Sequence, residues 1–287
     1  MYYGARMIKT RDPVFVALVC ILLSGCTATI NKGTFFPREE LKAPHAKLVA
    51  PTGYTVKDAL IDLPSLGRVR AVLLDHPNSD TTIIYSAGNG GFVDSDSSSK
   101  ATANLAAVSN ADIILYDYPG RGGTTVPDSI EAMVAVGPQL ISRFKAMGWM
   151  GKGPVYAYGF SFGGGMAAAM SRVGGFSGLM IEGSATDYKA IGRDFIPLAA
   201  RPFVRLKIDP ELKSFDYFGY VLAARTPVLL LSSVDDHTVR PHNMQRLAQQ
   251  LLAQGVKVTF QSTSGDHGAA LGSPEGQVAL RAFLATP

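Results

Sequence analysis

A chain of 287 residues, 47% hydrophobic and 17% charged, is long enough to bury one substantial core and too apolar to be disordered. Its formal charge of +4 is small, and Arg6, Lys9 and Arg11 against Asp12 in the first 25 residues supply half of that excess. No Lys/Arg cluster interleaves with aromatic residues, so the composition argues against nucleic acid as a partner.

In chain order, a basic stretch from Arg6 to Arg11 precedes the apolar run Val14 to Leu23, which ends in Leu23-Ser24-Gly25-Cys26. That run is about half the roughly 20 residues that a helix needs to cross a bilayer. A basic flank, a short apolar core and small residues at its end mark a signal peptide over residues 1–25. The Leu-Ser-Gly-Cys ending resembles the bacterial lipoprotein signal. That resemblance implies a mature chain beginning at an acylated Cys26, held at the cell envelope and facing the periplasm or the exterior. The chain holds two cysteines, Cys20 and Cys26. Cleavage removes one and lipid consumes the other, so no disulfide is expected. Residues 26–53, rich in Lys, Pro, Thr and Ala without a lasting period, read as a lipid-anchored tether.

From Tyr54 to the C-terminus, short apolar runs alternate with helical patterns, as in a mostly parallel sheet covered by helices on both faces. Strands are predicted at 70–74, 81–86, 113–116, 155–158, 179–181, 228–231 and 256–261; several are nearly all apolar, as buried parallel strands require. Helices are predicted at 97–109, 128–147, 162–173, 243–253 and 275–285. Asp128 is the expected N-cap of the second, and the polar loop 94–99 is expected to cap the first. Residues 187–222 break the rhythm and carry Phe195, Phe203, Phe215, Tyr217, Phe218 and Tyr220. Three readings of this insertion stand open: a lid, a membrane-facing patch, or helices packed on the core.

The sharpest motif is Gly159-Phe160-Ser161-Phe162-Gly163, which ends an apolar strand and opens an Ala-rich helix. A nucleophile on so tight a turn sits in a strained backbone, and glycines two residues to either side remove collisions. Ser161 then stands at a helix N-terminus, where backbone N–H groups favour developing negative charge. Gly164, Gly165 and Ala167–Ala169 suit close approach of that helix to the sheet.

A serine hydroxyl needs a base, and the histidines are His45, His76, His237, His242 and His267. The order Ser, acid, His leaves the last three. Of these, His267 lies in the glycine-flanked loop Ser264-Gly265-Asp266-His267-Gly268 after the last predicted strand. The loop Val228 to Pro241 offers two adjacent carboxylates, Asp235 and Asp236.

These features together resemble the α/β-hydrolase family. The loop 228–241 is similar to the family's Gly-x-x-Asp-x-x-Val-Pro segment, which puts Ser233 at the glycine and Asp236 at the acid, with Asp235 as the alternative. Ala87-Gly88-Asn89-Gly90 resembles the family's His-Gly-Asn-Gly loop, with Ala87 in place of histidine. Asp117-Tyr118-Pro119-Gly120-Arg121-Gly122-Gly123-Thr124 resembles its Asp-x-Pro-Gly-x-Gly-x-Ser loop, and Ile181-Glu182-Gly183-Ser184 sits at a strand-end loop. The matches run in order from about Thr81 to the C-terminus. They imply one hydrolase domain at 54–287, with the insertion after its sixth strand.

The resemblance implies a serine hydrolase of the single-domain esterase and thioesterase-like kind. Ser161 would attack a carbonyl, His267 accept its proton, and Asp236 orient the imidazole. Backbone N–H groups of Phe162 and Asn89 would form the oxyanion hole, with Gly88 or Gly90 as alternatives to Asn89. A small-molecule or lipid ester is the expected substrate. Peptidase, amidase or acyltransferase chemistry on the same fold is one rival, and an inactive ligand- or partner-binding lipoprotein is another. No metal is implied. No cofactor is expected either, because Gly88-Asn89-Gly90 has Val93 where a dinucleotide loop needs its third glycine.

Overall fold

The computed structural model describes residues 26–31, 33 and 46–285. The predicted signal peptide with Cys20, and residues 32 and 34–45 of the predicted tether with His45, lie outside them.

Ten strands are described: β1 Cys26–Ile30, β2 Thr55–Leu63, β3 Gly67–Asp75, β4 Thr82–Ser86, β5 Asp112–Tyr116, β6 Val155–Phe160, β7 Gly178–Glu182, β8 Val204–Ile208, β9 Val228–Ser233 and β10 Val258–Thr263. Eight of them form one sheet in the order β10-β9-β7-β6-β4-β5-β3-β2. β4, β5, β6, β7, β9 and β10 pair in parallel, while β3 runs antiparallel to both β2 and β5. This is the mostly parallel α/β architecture expected from the sequence.

Side chains alternate across the sheet, so each strand feeds two cores. Ile84, Ile114, Ala157, Ile181 and Leu230 enter one core. Their neighbours Ile83, Ile113, Tyr158, Met180 and Leu229 enter the other. The first core is covered by α2 (Ile130–Ala146), α3 (Phe162–Ser171) and α7 (Pro241–Ala253), whose Met244, Leu247, Ala248 and Leu251 follow helical spacing. The second is covered by α1 (Asp96–Val108) and α8 (Pro274–Leu284). Full burial of each large aliphatic side chain contributes roughly 1.5–3 kcal/mol relative to exposure.

The caps differ in one place from expectation. Ser95 Oγ accepts from Ser98 N–H at 3.1 Å and caps α1, as the polar loop suggested. For α2 the cap is Ser129, whose Oγ accepts from Ala132 N–H at 3.0 Å, and not Asp128. Asp128 instead packs its side chain against the Gly120 turn.

Two strands were not anticipated before residue 67. β2 is an edge strand whose exposed Lys57, Asp58 and Asp62 break any apolar run; such charges protect an exposed edge from pairing. β1 begins at Cys26 and pairs in parallel with β8, Cys26 opposite Val204 and Ile30 opposite Ile208. The start of the predicted tether is therefore a strand held on the insertion.

The insertion follows β7, the sixth strand of the main sheet in chain order. It contains α4 (Tyr188–Asp194), a 3₁₀ turn at Leu198–Phe203, β8, α5 (Pro210–Lys213) and α6 (Tyr217–Ala224). Its halves differ in character. Leu212, Phe215, Tyr217 and Val221 are buried in the first core, whereas Phe195, Leu198 and Phe203 are exposed.

Candidate active site

The turn between β6 and α3 carries Ser161 at φ 52°, ψ −121°, the left-handed side of backbone space that a β-carbon disfavours by about 1–2 kcal/mol. Two hydrogen bonds hold it: Ser161 N–H donates to Glu182 O at 2.8 Å, and Gly164 N–H to Ser161 O at 2.9 Å. The flanking glycines are needed for space. A Cβ at Gly159 would overlap the backbone of Gly163, and one at Gly163 would overlap the carbonyl oxygens of Ser86 and Ala87 at the end of β4. Gly164 and Gly165 serve a different neighbour from the sheet expected: Tyr217, Ser184 and Phe215 occupy the space their side chains would fill. These small residues admit the insertion.

Two loops at the same sheet edge bring the partners. His267 Nε2 lies 3.0 Å from Ser161 Oγ, and His267 Nδ1 lies 2.7 Å from Asp236 Oδ2. The other Asp236 oxygen, Oδ1, accepts from the backbone N–H groups of Thr238 at 2.8 Å and Val239 at 2.7 Å. Asp236 is buried, while Asp235 is exposed and donates its N–H to Gly265 O at 3.1 Å, tying the acid loop to the histidine loop. The carboxylate beside the imidazole thus belongs to Asp236. Gly265 and Gly268 both have positive φ, which gives the histidine loop its reversal. His267 leans on Phe160, ring centroids 4.9 Å apart. His237 is exposed, and His242 pairs instead with Asp194 at 3.0 Å.

Asn89 and Phe162 both line an apolar cavity of about 270 Å³ with Ser161; its walls include Ile191, Phe195, Phe215 and Val239. The Asn89 loop turns through a Gly91 N–H to Gly88 O bond at 2.9 Å, with Gly88 against the Phe160 ring.

Sequence reasoning gave no role to several residues that build this site. Buried Arg121 donates to the backbone carbonyl of Asn89 and, at 2.9 Å, to its Oδ1. The guanidinium lies over the rings of Tyr118 and Phe162, and burial lowers its pKa to about 10. Tyr118 OH donates to Ala87 O at 2.6 Å. Asp117 accepts from Val93 N–H and Gly123 N–H, each at 2.8 Å, and burial raises its pKa. The Asp-Tyr-Pro-Gly-Arg-Gly-Gly loop is therefore a brace for the Asn89 loop; a charged residue among glycines was its signal. Glu182 is buried, accepting from Tyr158 OH at 2.6 Å and Leu271 N–H at 3.1 Å, and burial raises its carboxyl pKa. It links the Ser161 turn to the segment after His267. Gly183, at φ 51°, leaves room for the acid–imidazole pair: a Cβ there would stand 3.3 Å from Asp236 Oδ2 and His267 Nδ1.

Among the described residues no group of three or more His, Cys, Asp or Glu side chains is arranged to hold a metal ion.

A parallel sheet with a serine on a strained strand-to-helix turn, facing an imidazole and a buried carboxylate, defines the class of α/β proteins to which the hydrolases belong. Residues 88–273, more than half of the chain, match the Alpha/beta hydrolase family, and the chain belongs to that family. No curated protein matches its sequence. Among solved structures it is similar to an esterase of Pyrococcus furiosus, with 16% identity, TM-score 0.62, and coverage of 84% of this chain and 98% of that one. It is similar also to carboxyl esterase 2 of the fungus Tuber melanosporum, with 18% identity, TM-score 0.64, and coverage of 95% and 96%. A third similar structure, an acylaminoacyl peptidase of Pyrococcus horikoshii, has 14% identity and TM-score 0.61, covering 81% of this chain and 41% of that one. At these identities the likeness speaks to the fold.

Proposed function

We propose that this chain is a serine hydrolase that cleaves carboxylic esters or thioesters through an acyl-enzyme on Ser161. The observation that carries the reading is the hydrogen-bonded series Ser161 Oγ, His267 Nε2 and Nδ1, Asp236 Oδ2, at 3.0 and 2.7 Å. Ser161 Oγ attacks the carbonyl carbon as His267 Nε2 takes its proton, and Asp236 stabilises the imidazolium. The backbone N–H groups of Phe162 and Asn89, both at the cavity with Ser161, receive the oxyanion. His267 then protonates the leaving alcohol or thiol, and water, deprotonated by the same imidazole, releases the acid. A cavity of about 270 Å³ walled by apolar side chains suits a short acyl group.

Ser161→Ala is expected to abolish turnover of short-chain aryl esters with the fold intact, and a fluorophosphonate is expected to label Ser161 of the unaltered protein. Turnover retained in the variant refutes the reading. Folded protein that resists labelling favours the binding-lipoprotein alternative. A panel of esters, thioesters, amides, peptides and acyl acceptors assigns the chemistry within the class.

The envelope reading belongs to the same proposal: signal cleavage before Cys26, acylation of its thiol, and anchoring to a membrane. Several acyl chains on one residue give stable attachment where one does not. The exposure of Cys26 supports it. Mass spectrometry of the mature N-terminus tests it, and an unacylated Cys26 refutes it.

A further inference from the structure

Helix α4 separates two cavities. Tyr188, Ile191 and, just past its end, Phe195 face the apolar one beside Ser161. Lys189, Ala190, Arg193 and Asp194 face a second cavity of about 710 Å³, walled also by β8 and the start of α7. The two sets alternate at helical spacing, so one short helix shows an apolar face to the site and a charged face away from it.

The second cavity gathers five permanent cations, Lys189, Arg193, Arg201, Arg205 and Arg246, against two carboxylates. Both carboxylates are already engaged. Asp194 accepts from Asn243 Nδ2 at 2.7 Å and lies 3.0 Å from His242 Nε2 and 3.7 Å from Arg201. Asp187 caps α4 and lies 3.6 Å from Arg246. Among the described residues Lys189, Arg193 and Arg205 make no ion pair, and all three are exposed. In a chain whose whole excess is +4, this is a concentrated positive field.

Beside it the surface is apolar. Phe195, Leu198 and Phe203 are 64%, 78% and 51% exposed, and Phe203 itself lines the charged cavity. Exposed aromatic and aliphatic side chains next to unpaired cations are the pairing that an anionic bilayer surface recognises: rings enter the interface while cations meet phosphates. The β1–β8 register sets Cys26 opposite Val204, another residue of that cavity's wall.

We infer that the insertion face formed by α4, the 3₁₀ turn and β8 docks on an anionic phospholipid surface, with lipid phosphates seated among Lys189, Arg193 and Arg205. The docking is independent of catalysis and of acylation.

The test uses the full chain carrying Cys26→Ser, which cannot be acylated. It compares sedimentation with vesicles of phosphatidylcholine and with vesicles of equal parts phosphatidylcholine and phosphatidylglycerol. Binding is expected to favour the anionic vesicles and to weaken with added salt. Each basic residue near such a surface multiplies partitioning roughly fivefold, so Arg193→Gln with Arg205→Gln is expected to lower it roughly 25-fold. Leu198→Ser with Phe203→Ser is expected to weaken binding while keeping the salt dependence. All variants carry the same residues 1–25, so differences among them read the insertion alone, and circular dichroism verifies their folding. Equal binding to both vesicle types, or a folded Arg193→Gln/Arg205→Gln protein with unaltered affinity, overturns the inference. Neither outcome touches the esterase reading, because vesicle binding is measured without turnover.

Discussion

Asp236→Asn isolates the electronic role proposed for the acid, because the surrounding donors dictate how the new amide must sit. Oδ1 of Asp236 already accepts from Thr238 N–H and Val239 N–H at 2.8 and 2.7 Å. An amide NH₂ at that position would face two donors, so the amide oxygen takes it and the NH₂ group turns to His267 Nδ1. The imidazole must then accept at Nδ1 and carry its proton on Nε2, which points at Ser161 Oγ, 3.0 Å away. A nitrogen already protonated cannot take the serine proton. The wrong tautomer in such a triad costs roughly four orders of magnitude in kcat, about 5.5 kcal/mol of barrier. Stability should change far less. Every backbone bond to the side chain survives, and exchanging charge-assisted for neutral bonds costs about 1–2 kcal/mol, a few degrees in Tm. Steady-state hydrolysis of p-nitrophenyl acetate and a thermal melt on the same preparation measure both. Asp235→Asn is the control and should stay within about twofold of the unaltered rate, since that side chain is exposed. If Asp236→Asn retains activity within about tenfold while folded, the assignment of the acid and the tautomer argument both fail.

Gly163→Ala would put a Cβ 2.5 Å from Ala87 O and closer still to Ser86 O, both backbone atoms. A loss of about 1–3 kcal/mol in a denaturant titration is expected, and an unchanged midpoint would contradict the packing described at the turn. Arg121→Met removes the donors to Asn89 and should lower kcat by about 10–100-fold with little change in KM, bounded above by the roughly 10²–10³ lost with a whole oxyanion donor. Arg121→Lys, with one donor head, should fall between, and equal kcat in all three proteins would remove Arg121 from the brace. Burial raises the Glu182 carboxyl pKa above its ordinary 4.5, so the stability it contributes is full below the unfolded value and lost as pH rises through the folded one. Tm of the unaltered protein should therefore decline over that rise in pH, Glu182→Gln should flatten the decline, and parallel curves for the two would refute the assignment.

Much of this was legible in the chain because its physical causes are local. An apolar strand running into Gly-Phe-Ser-Phe-Gly and an Ala-rich helix reads as a strand–turn–helix with the serine at the helix N-terminus, which is where it stands. The buried strands declared themselves as unbroken apolar runs. β2 did not, because an edge strand with one wet face needs only Ile61 and Leu63 inside. The strand nature of Cys26–Ile30 was hidden for another reason: its partner, Val204–Ile208, lies far along the chain.

The sequence by itself determined the fold class, and it named Ser161, His267 and, through the family's loop pattern, Asp236 ahead of Asp235 as the candidate site, because motif spacing and the order of loops are local to the chain. The tertiary structure set Asp236 and not its neighbour beside the imidazole, as the loop pattern implied, since adjacent loop residues point in different directions. It alone set Arg121 against Asn89 and divided the insertion between core and surface. Those outcomes depend on which side chains share a volume after folding, and that is a property of the packed chain rather than of any local stretch of residues.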